Sequence, residues 1–330
     1  MLVIAAALLA NATASAGPVR RLPVIDMHVH ASRVETKSPI PICPGKDLTD
    51  YPAFDPRETP SPEKLAACAR PVLSETDTKE LRDATIRELR AHNVRRAVLS
   101  GRAALIPDWA KAAPEIFIVA AQPTRLTPKD ISALRGLQKN GQAAVFAEIG
   151  AQYVGIRADD ARLEPFWALA EELDVPVGIH LGEGTPGQTS LSAPDRYRAS
   201  LTSPFQLEEV LIRHPRLRVF VMHAASPLTD EMIAMLFEYP ALYVDVSANN
   251  WNMPRAQFYD QLKRLVAAGF SKRILFGSDQ GIWPQAIGLA IQTIEEAPFL
   301  TTQQKRDILY NNAARFLRLT DEQITRDHRP

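Results

Sequence analysis

Residues 22–30 read Leu-Pro-Val-Ile-Asp-Met-His-Val-His, an apolar run that ends in two histidines one residue apart. Because side chains two residues apart on a β-strand point to the same face, we expect His28 and His30 to project together. Neutral imidazole is the commonest protein ligand for zinc and similar metals, so the pair predicts a metal site at a strand end. The alternative is a pair of solvent-facing histidines on an edge strand.

Seven further short, β-branched apolar runs follow this one, and amphipathic segments separate them. The predicted strands are residues 23–30, 95–100, 116–121, 143–149, 176–181, 217–223, 242–246 and 273–278. The predicted helices are residues 78–92, 128–138, 164–173, 204–213, 229–239, 255–268, 284–295 and 302–317. Continuous apolar strands that alternate with helices are typical of a parallel sheet covered on both faces. We therefore predict an α/β fold, a single-domain (β/α)8 TIM barrel, over residues 17–320. The competing fold is an open doubly wound sheet, whose glycine-rich phosphate turn is absent from the sequence.

Residues 31–77 form a connection far longer than a simple loop, rich in proline. Long connections in compact domains are usually lids or binding loops, so we expect a lid over the carboxyl-terminal face of the barrel. The alternative is a disordered insertion. Cys43 and Cys68 both lie in this segment, and a disulfide or two unpaired thiols are both compatible with the sequence.

The two chain ends differ from the repeating pattern. Residues 1–10 are apolar but too few to span a bilayer, and Ala14-Ser15-Ala16 has the pattern of a signal-peptidase site. We predict a signal peptide over residues 1–16, cleaved near Ala16, and a periplasmic or secreted protein. No lysine or arginine precedes the apolar run, and the alternative is an apolar arm beneath the fold. Residues 321–330 are predicted to form a polar tail.

The composition is that of an ordinary globular protein, with 330 residues, 46% hydrophobic residues and a formal net charge of zero. A neutral balance argues against nucleic acid or an anionic membrane as partner, since either favours a basic face. The expected partner is a small-molecule substrate, without stable membrane insertion. A homo-oligomer is compatible with the sequence.

Metal-ligand residue types end four more predicted strands: Glu148, His180, His223 and Asp279. A barrel would bring them to one mouth with the first two histidines, and burying them there is costly unless a divalent metal compensates. Taken singly, His180 or His223 is a hydrogen-bonded core histidine in the alternative interpretation, and Asp279 a helix cap. The three other histidines, His92, His214 and His328, are expected to face solvent.

This set of motifs resembles the amidohydrolase superfamily, and more narrowly its amidohydrolase-2 branch, which includes decarboxylases related to aminocarboxymuconate-semialdehyde decarboxylase. The resemblance implies that His28, His30 and Asp279 bind a metal and that His180 belongs to the same set. It also implies that His223 binds a second metal or contacts substrate. Many binuclear relatives carry a carbamylated lysine at the end of strand four, where this chain has Glu148 in a Glu-Ile-Gly turn that resembles TatD-like members. Glu148 therefore favours a two-metal hydrolase, the alternative being a carboxylate that holds a histidine.

The reaction implied by this resemblance is attack of metal-activated water on an amide, ester or lactone. Asp279 would transfer the proton, and His223, if it is not a metal ligand, would stabilise the oxyanion. The expected cofactor is one or two divalent ions, with zinc favoured, although the ligand types also accept manganese, iron, cobalt or nickel. A non-oxidative decarboxylase and a non-catalytic metal-binding domain are the competing functions.

Four residues that follow strands on the same face are candidate substrate contacts: Tyr153, Arg157, Trp251 and Trp283. The alternatives are that the tryptophans pack the rim and that Arg157 pairs with Asp159 or Asp160.

Overall fold

A computed structural model gives the fold of the chain. It describes residues 21–51, 53–55, 57–58, 61, 68–123, 127–184 and 196–329. The predicted signal peptide and most of the loop after His180 lie outside these residues.

Eight parallel strands form the barrel, and they follow one another around it in chain order. They are β1 (Val24–Ala31), β4 (Val94–Gly101), β5 (Phe117–Ala121), β6 (Val145–Ile149), β7 (Val177–His180), β8 (Val219–Met222), β9 (Tyr243–Asp245) and β10 (Ile274–Leu275). Two short strands, β2 (Pro41–Ile42) and β3 (Val72–Leu73), pair antiparallel outside the barrel. The predicted (β/α)8 barrel is confirmed.

Helices follow the strands along the chain, as the amphipathic segments predict. They are α1 (Thr78–Ala91), α2 (Ile106–Ala112), α3 (Pro128–Lys139), α4 (Glu164–Glu172), α5 (Glu208–Arg213), α6 (Thr229–Glu238), α7 (Asn249–Asn252), α8 (Arg255–Ala267), α9 (Ala286–Glu296), α10 (Thr302–Arg306), α11 (Asn312–Phe316) and α12 (Asp321–Asp327). A π-helical turn at Asp307–Asn311 joins α10 to α11. The sequence analysis missed α2, which is short and begins after a leucine without a side-chain cap.

The barrel closes between its first and last strands through single backbone hydrogen bonds rather than a regular ladder. The Met27 N–H donates to the Phe276 carbonyl at 2.9 Å, and the Asp279 N–H donates to the His28 carbonyl at 2.7 Å. Only Ile274 and Leu275 of the predicted strand 273–278 pair with β9, because the chain then turns towards β1 and Asp279 adopts a φ of 49°. This closure places Asp279 beside His28.

The barrel interior is packed with apolar side chains below the strand ends. Ile25, Met27, Val145, Phe220 and Met222 are fully buried and belong to one cluster. Since alternate residues of each strand fill this interior, the barrel is a core rather than a pore, and the polar side chains collect at its carboxyl-terminal end.

The long segment after β1 is tied to the barrel at that end. Cys43 and Cys68 form a disulfide with a Cα–Cα separation of 5.9 Å. The Arg255 N–H donates to the Gly45 carbonyl at 3.1 Å, and the Trp283 indole donates to the Ile40 carbonyl at 2.9 Å. These contacts hold the described part of the segment against the loops that follow β9 and β10.

Two expectations for polar residues need correction. The predicted polar tail contains α12, whose Asp327 is buried and forms an ion pair with Arg96 (Nε–Oδ2, 2.7 Å). His214, expected in solvent, is 6% exposed because it lies between Glu164 (Nε2–Oε1, 2.9 Å) and Glu171 (Nδ1–Oε2, 3.3 Å). His328 is exposed and His92 is half-buried. Both corrections have one cause. A partner of opposite charge offsets the cost of burying the side chain, and the local sequence pattern does not reveal that partner.

Among the described residues, no helix is long and apolar enough to cross a membrane.

Candidate metal centre

Four predicted ligands meet at the mouth of the barrel. His30 Nε2 lies 3.0 Å from His28 Nε2, 3.1 Å from Asp279 Oδ1 and 3.4 Å from Glu148 Oε2. His28 Nε2 lies 3.8 Å from Asp279 Oδ1 and 3.9 Å from Glu148 Oε2. Strand alternation brings the two histidines together from β1, as expected, while β6 and the end of β10 supply the carboxylates.

His28 has its tautomer fixed by residues at the end of β9. Ser247 Oγ donates its proton to Asp245 Oδ1 at 2.6 Å, so Ser247 Oγ accepts from His28 Nδ1 at 2.8 Å. Asp245 Oδ2 lies 3.2 Å from the same nitrogen. His28 Nδ1 therefore carries a proton, and Nε2 is the nitrogen that would bind a metal at the cluster.

His180 and His223 lie on the other side of Glu148. The Glu148, His180 and His223 ligand atoms all fall within 4.8 Å of one another, and Glu148 Oε1 lies 3.9 Å from His180 Nε2. His223 Nδ1 donates to the Ser247 carbonyl at 3.1 Å, which leaves its Nε2 as the nitrogen with the lone pair. His223 has a φ of 62°, and this left-handed backbone ends β8 one residue before the predicted boundary.

His180 is already hydrogen-bonded at both ring nitrogens. Its Nδ1 faces Gln152 Oε1 at 3.0 Å, and its Nε2 accepts from the Tyr153 hydroxyl at 2.8 Å. Burial, together with the neighbouring His223, lowers the pKa of His180 to about 3. His180 is therefore neutral at physiological pH.

The carboxylates of the cluster are held ionised. Burial by itself raises the pKa of Glu148, but the imidazoles of His28, His180 and His30 outweigh it and lower that pKa to about 2. For Asp279, His28 and His30 likewise outweigh burial and hold the pKa well below its usual range. Burial lowers the pKa of His28, but Asp279, Asp245 and Glu148 raise it well above the ordinary value. The same carboxylates that attract a proton to this cluster attract a metal cation.

The donor geometry fits a divalent ion. Ligand atoms about 2.1 Å from one ion lie roughly 3.0–3.4 Å apart in octahedral or tetrahedral coordination. The three distances from His30 Nε2 fall in this range, whereas the two distances from His28 Nε2 to the carboxylates, 3.8 and 3.9 Å, are longer. His28 Nε2 and His30 Nε2 face each other at 3.0 Å, and a cation beside them would accept a lone pair from each ring when both protons are on Nδ1.

A cavity of about 630 Å³ opens above these ligands. His180, His223 and Asp279 lie in its wall, together with three of the four predicted substrate contacts, Tyr153, Trp251 and Trp283. Arg157 agrees with its alternative interpretation: its side chain is exposed, is not among the described residues lining the cavity, and pairs with Asp159 (Nη2–Oδ2, 2.7 Å). Asp279 does not cap the next helix, since α9 begins at Ala286.

Sequence reasoning missed the residues that orient the ligands. Asp245 and Ser247 hold the His28 ring. The Gln280 amide donates from Nε2 to the His30 carbonyl at 2.7 Å, and its Oε1 accepts from the His30 backbone N–H at 3.0 Å. Asp26 accepts from the backbone N–H groups of His28 and Ser278, and burial raises its pKa to about 6 against these hydrogen bonds. The sequence does mark two of these residues, because Asp26 and Asp245 are charged residues inside otherwise apolar strands.

Comparison with known proteins agrees with this fold. The Amidohydro_2 family model, described as amidohydrolase, matches residues 25–319. No curated protein sequence matches the chain significantly.

Solved structures with a similar fold include enzymes of two reaction classes. An uncharacterized TIM-barrel protein from Bordetella bronchiseptica is 20% identical, with a TM-score of 0.60 over 90% of this chain and 99% of that one. A dihydroxybenzoic acid decarboxylase from Polaromonas sp., solved with manganese and 2-nitroresorcinol, is 16% identical (TM-score 0.59, 92% and 99%). A probable 2-pyrone-4,6-dicarboxylic acid hydrolase from Acinetobacter baumannii is 14% identical (TM-score 0.58, 90% and 99%). At these identities the likeness shows the fold alone.

The family model covers most of the chain and includes every predicted ligand, from His28 to Asp279. The protein belongs to the amidohydrolase-2 family of enzymes.

Proposed function

We propose that the protein is a metal-dependent hydrolase that cleaves an amide, ester or lactone bond in a small molecule. One observation carries this choice: the two oxygens of Glu148 face two different groups of imidazoles. Oε2 lies 3.4 Å from His30 Nε2, and Oε1 lies 3.9 Å from His180 Nε2. A carboxylate between two such groups is placed to be shared by two divalent ions, an arrangement used by many metallohydrolases.

The proposed ligand sets follow this division. His28, His30 and Asp279 would hold one ion, His180 and His223 the other, and Glu148 would contact both. Zinc is the proposed metal, since imidazole and carboxylate ligands suit it. Bound at these residues, a divalent ion would supply Lewis-acid polarisation of the scissile carbonyl and a water of lowered pKa.

Asp279 is the proposed proton carrier. Its side chain is 21% exposed towards the cavity, and its lowered pKa keeps it anionic at neutral pH. It would accept a proton from the attacking water and pass it to the leaving nitrogen or oxygen.

Tyr153 lines the cavity and is the proposed hydrogen-bond donor to the substrate carbonyl, because an ion bound at His180 Nε2 would free the Tyr153 hydroxyl that donates to this nitrogen. His223 fits a ligand role better than oxyanion stabilisation. With its proton on Nδ1, the ring directs a lone pair, not a proton, from Nε2.

Metal content tests the two-ion proposal directly. We expect two ions per chain in the purified protein and one in Glu148→Gln, measured by elemental analysis after dialysis against zinc. The matched control is Glu209→Gln, an exposed carboxylate on α5, which should keep both ions. One ion in the wild type as well as in Glu148→Gln would contradict the proposal.

A non-oxidative decarboxylase is the second candidate, and the hydrogen bonds of His180 favour it. Both ring nitrogens of His180 have protein partners, so this histidine needs no ion and the site would hold one. Product analysis separates the two functions. Carbon dioxide release from carboxylated aromatic compounds, without cleavage of amides, esters or lactones, would favour the decarboxylase.

Asp279→Asn tests the proton carrier. We expect loss of most turnover with an unchanged circular dichroism spectrum, because the amide cannot accept the proton. Near-wild-type turnover would refute the role of Asp279.

Export to the periplasm or the medium is also proposed. The disulfide between Cys43 and Cys68 supports it, since disulfides persist in oxidising compartments. The mass of the mature protein should correspond to cleavage near Ala16, and an uncleaved chain in the cytoplasm would contradict export.

A further inference from the structure

We infer that the cavity takes a neutral or cationic substrate with a flat apolar body, and that Glu183 selects a hydrogen-bond donor such as an amine on that substrate. This inference deepens the proposed function and rests on it. It is argued from the charge of the cavity wall, the position of Glu183 and the aromatic side chains opposite.

The described wall of the cavity carries negative charge and no cationic side chain. Glu183 and Asp279 are its acidic residues, and no lysine or arginine is among the described lining residues. With one divalent ion bound, the net charge of Glu148, Asp279, Glu183 and the ion would be negative, and with two ions it would be slightly positive. A free carboxylate on the substrate, away from the reacting bond, would meet no cationic side chain among the described lining residues.

Glu183 is positioned by a residue that the metal chemistry does not use. The Ser226 hydroxyl donates to Glu183 Oε2 at 3.0 Å, and the backbone N–H of Ser226 is held by the His223 carbonyl at 3.0 Å. Tyr51 lines the same cavity, and burial together with the charge of Glu183 raises the pKa of Tyr51. Ser226 is the one hydrogen-bond donor to Glu183 among the described residues, and a carboxylate can accept several more.

The aromatic part of the wall suits a flat body. Trp251 and Trp283 have ring centroids 6.2 Å apart. Both indole N–H groups are bonded to backbone carbonyls, of Ser278 at 2.8 Å and of Ile40 at 2.9 Å. The two rings therefore offer apolar and π surface to a ligand rather than hydrogen-bond donors, and such surface accepts planar groups and cations.

Three benzohydroxamic acids test the inference, because the hydroxamate binds the metal in all of them and only the distal group differs. The probes carry a 4-aminomethyl, a 4-hydroxymethyl or a 4-carboxy group. For the zinc-loaded wild type at pH 7, we expect the amine to bind roughly tenfold more tightly than the alcohol, and the carboxylate to bind most weakly. Isothermal titration calorimetry measures the three dissociation constants.

Glu183→Gln should abolish the advantage of the amine over the alcohol while leaving the alcohol's affinity within a factor of two. Glu238→Gln, an exposed carboxylate at the end of α6 that is not among the lining residues, should retain the wild-type order. Equal affinity for amine and alcohol in the wild type, or preference for the carboxylate, would overturn the inference and leave the hydrolase proposal standing. The same order with unchanged affinities in protein stripped of metal would uphold the inference and contradict the proposed metal site, because the hydroxamate would then bind without an ion.

Discussion

The ring nitrogens of the histidines show how single residues decide what this site can bind. A histidine presents a lone pair or a proton, and the partner of its other nitrogen makes the choice. Asp245 and Ser247 put the proton of His28 on Nδ1, and the Ser247 carbonyl does the same for His223. The ligand nitrogens are thus prepared by residues that never touch the proposed metal.

Asp245→Asn should therefore weaken metal binding without removing a ligand. The amide can present an N–H to His28 Nδ1, which favours the wrong tautomer, and loss of such a partner typically costs 10–100-fold in metal affinity. Competition with a chromophoric chelator measures the affinity. Asp260→Asn, on the exposed face of α8, is the control and should bind metal like the wild type. Unchanged affinity in Asp245→Asn would mean that Asp245 does not set the tautomer.

Gly277 allows β1 and the end of β10 to approach each other. A Cβ there would lie 2.8 Å from the Cβ of His28 and 3.0 Å from the Cβ of Ser247. Gly277→Ala should lower the free energy of unfolding by about 1–3 kcal/mol, because overpacking displaces these neighbours, and should also weaken metal binding.

Gly136→Ala is the matched control for that substitution. Gly136 lies inside α3, and a Cβ there meets no atom within 4 Å. Alanine at this position should raise stability by about 0.5–1 kcal/mol through helix propensity, with metal binding unchanged. Chemical denaturation of both variants compares them. A Gly277→Ala protein as stable as Gly136→Ala would show that the close approach is not needed.

At the level of elements, the strands form the scaffold, and residues at the strand ends and in the loops after them form the site. The strands end in backbone with positive φ at His223, Ala248 and Asp279. These strained conformations turn side chains inwards at the mouth, and such strain is typically concentrated at functional sites. Strand periodicity extends only to the last regular residue, which explains why the strand boundaries at His223 and Ser278 were predicted too long.

The disulfide is expected to stabilise the segment between β1 and α1. It closes a loop of 25 residues, for which chain-entropy models give about 3.5 kcal/mol. Reductant should lower the melting temperature of the wild type and raise KM, since Ile42 of the same segment lines the cavity. Thermal unfolding with and without reductant measures the first effect.

A Cys43→Ser/Cys68→Ser variant is the control, because its melting temperature should be low and insensitive to reductant. Identical unfolding of the oxidised and reduced wild type would show that the disulfide does not stabilise this segment.

For the whole molecule, the sequence was sufficient to predict the barrel and the residues that meet at its mouth. Apolar strands in regular alternation with helices have few packing solutions, and the carboxyl ends of parallel strands share one face. This geometry brought Glu148 and Asp279 to His28 although they are far apart in the chain.

Other features depend on tertiary partners that no local pattern shows. Arg157 lies outside the cavity because Asp159 is its neighbour, and His214 is buried because two glutamates from α4 surround it. The expected polar tail at residues 321–330 differs from the structure for the same reason, since Asp327 contacts Arg96 only once the barrel has formed.

The position of the proposed ligands on the seam of the barrel has a consequence for biosynthesis. His30 and Gln280, which hold the two edges of the seam together, are separated by 250 positions. A ribosome therefore makes His28 and His30 near the beginning and Asp279 near the end, and no shorter nascent chain carries the complete set of donors. Metal uptake would follow synthesis of the last strand instead of guiding the first. A chain exported before folding would cross the membrane without its ion and acquire it at its destination.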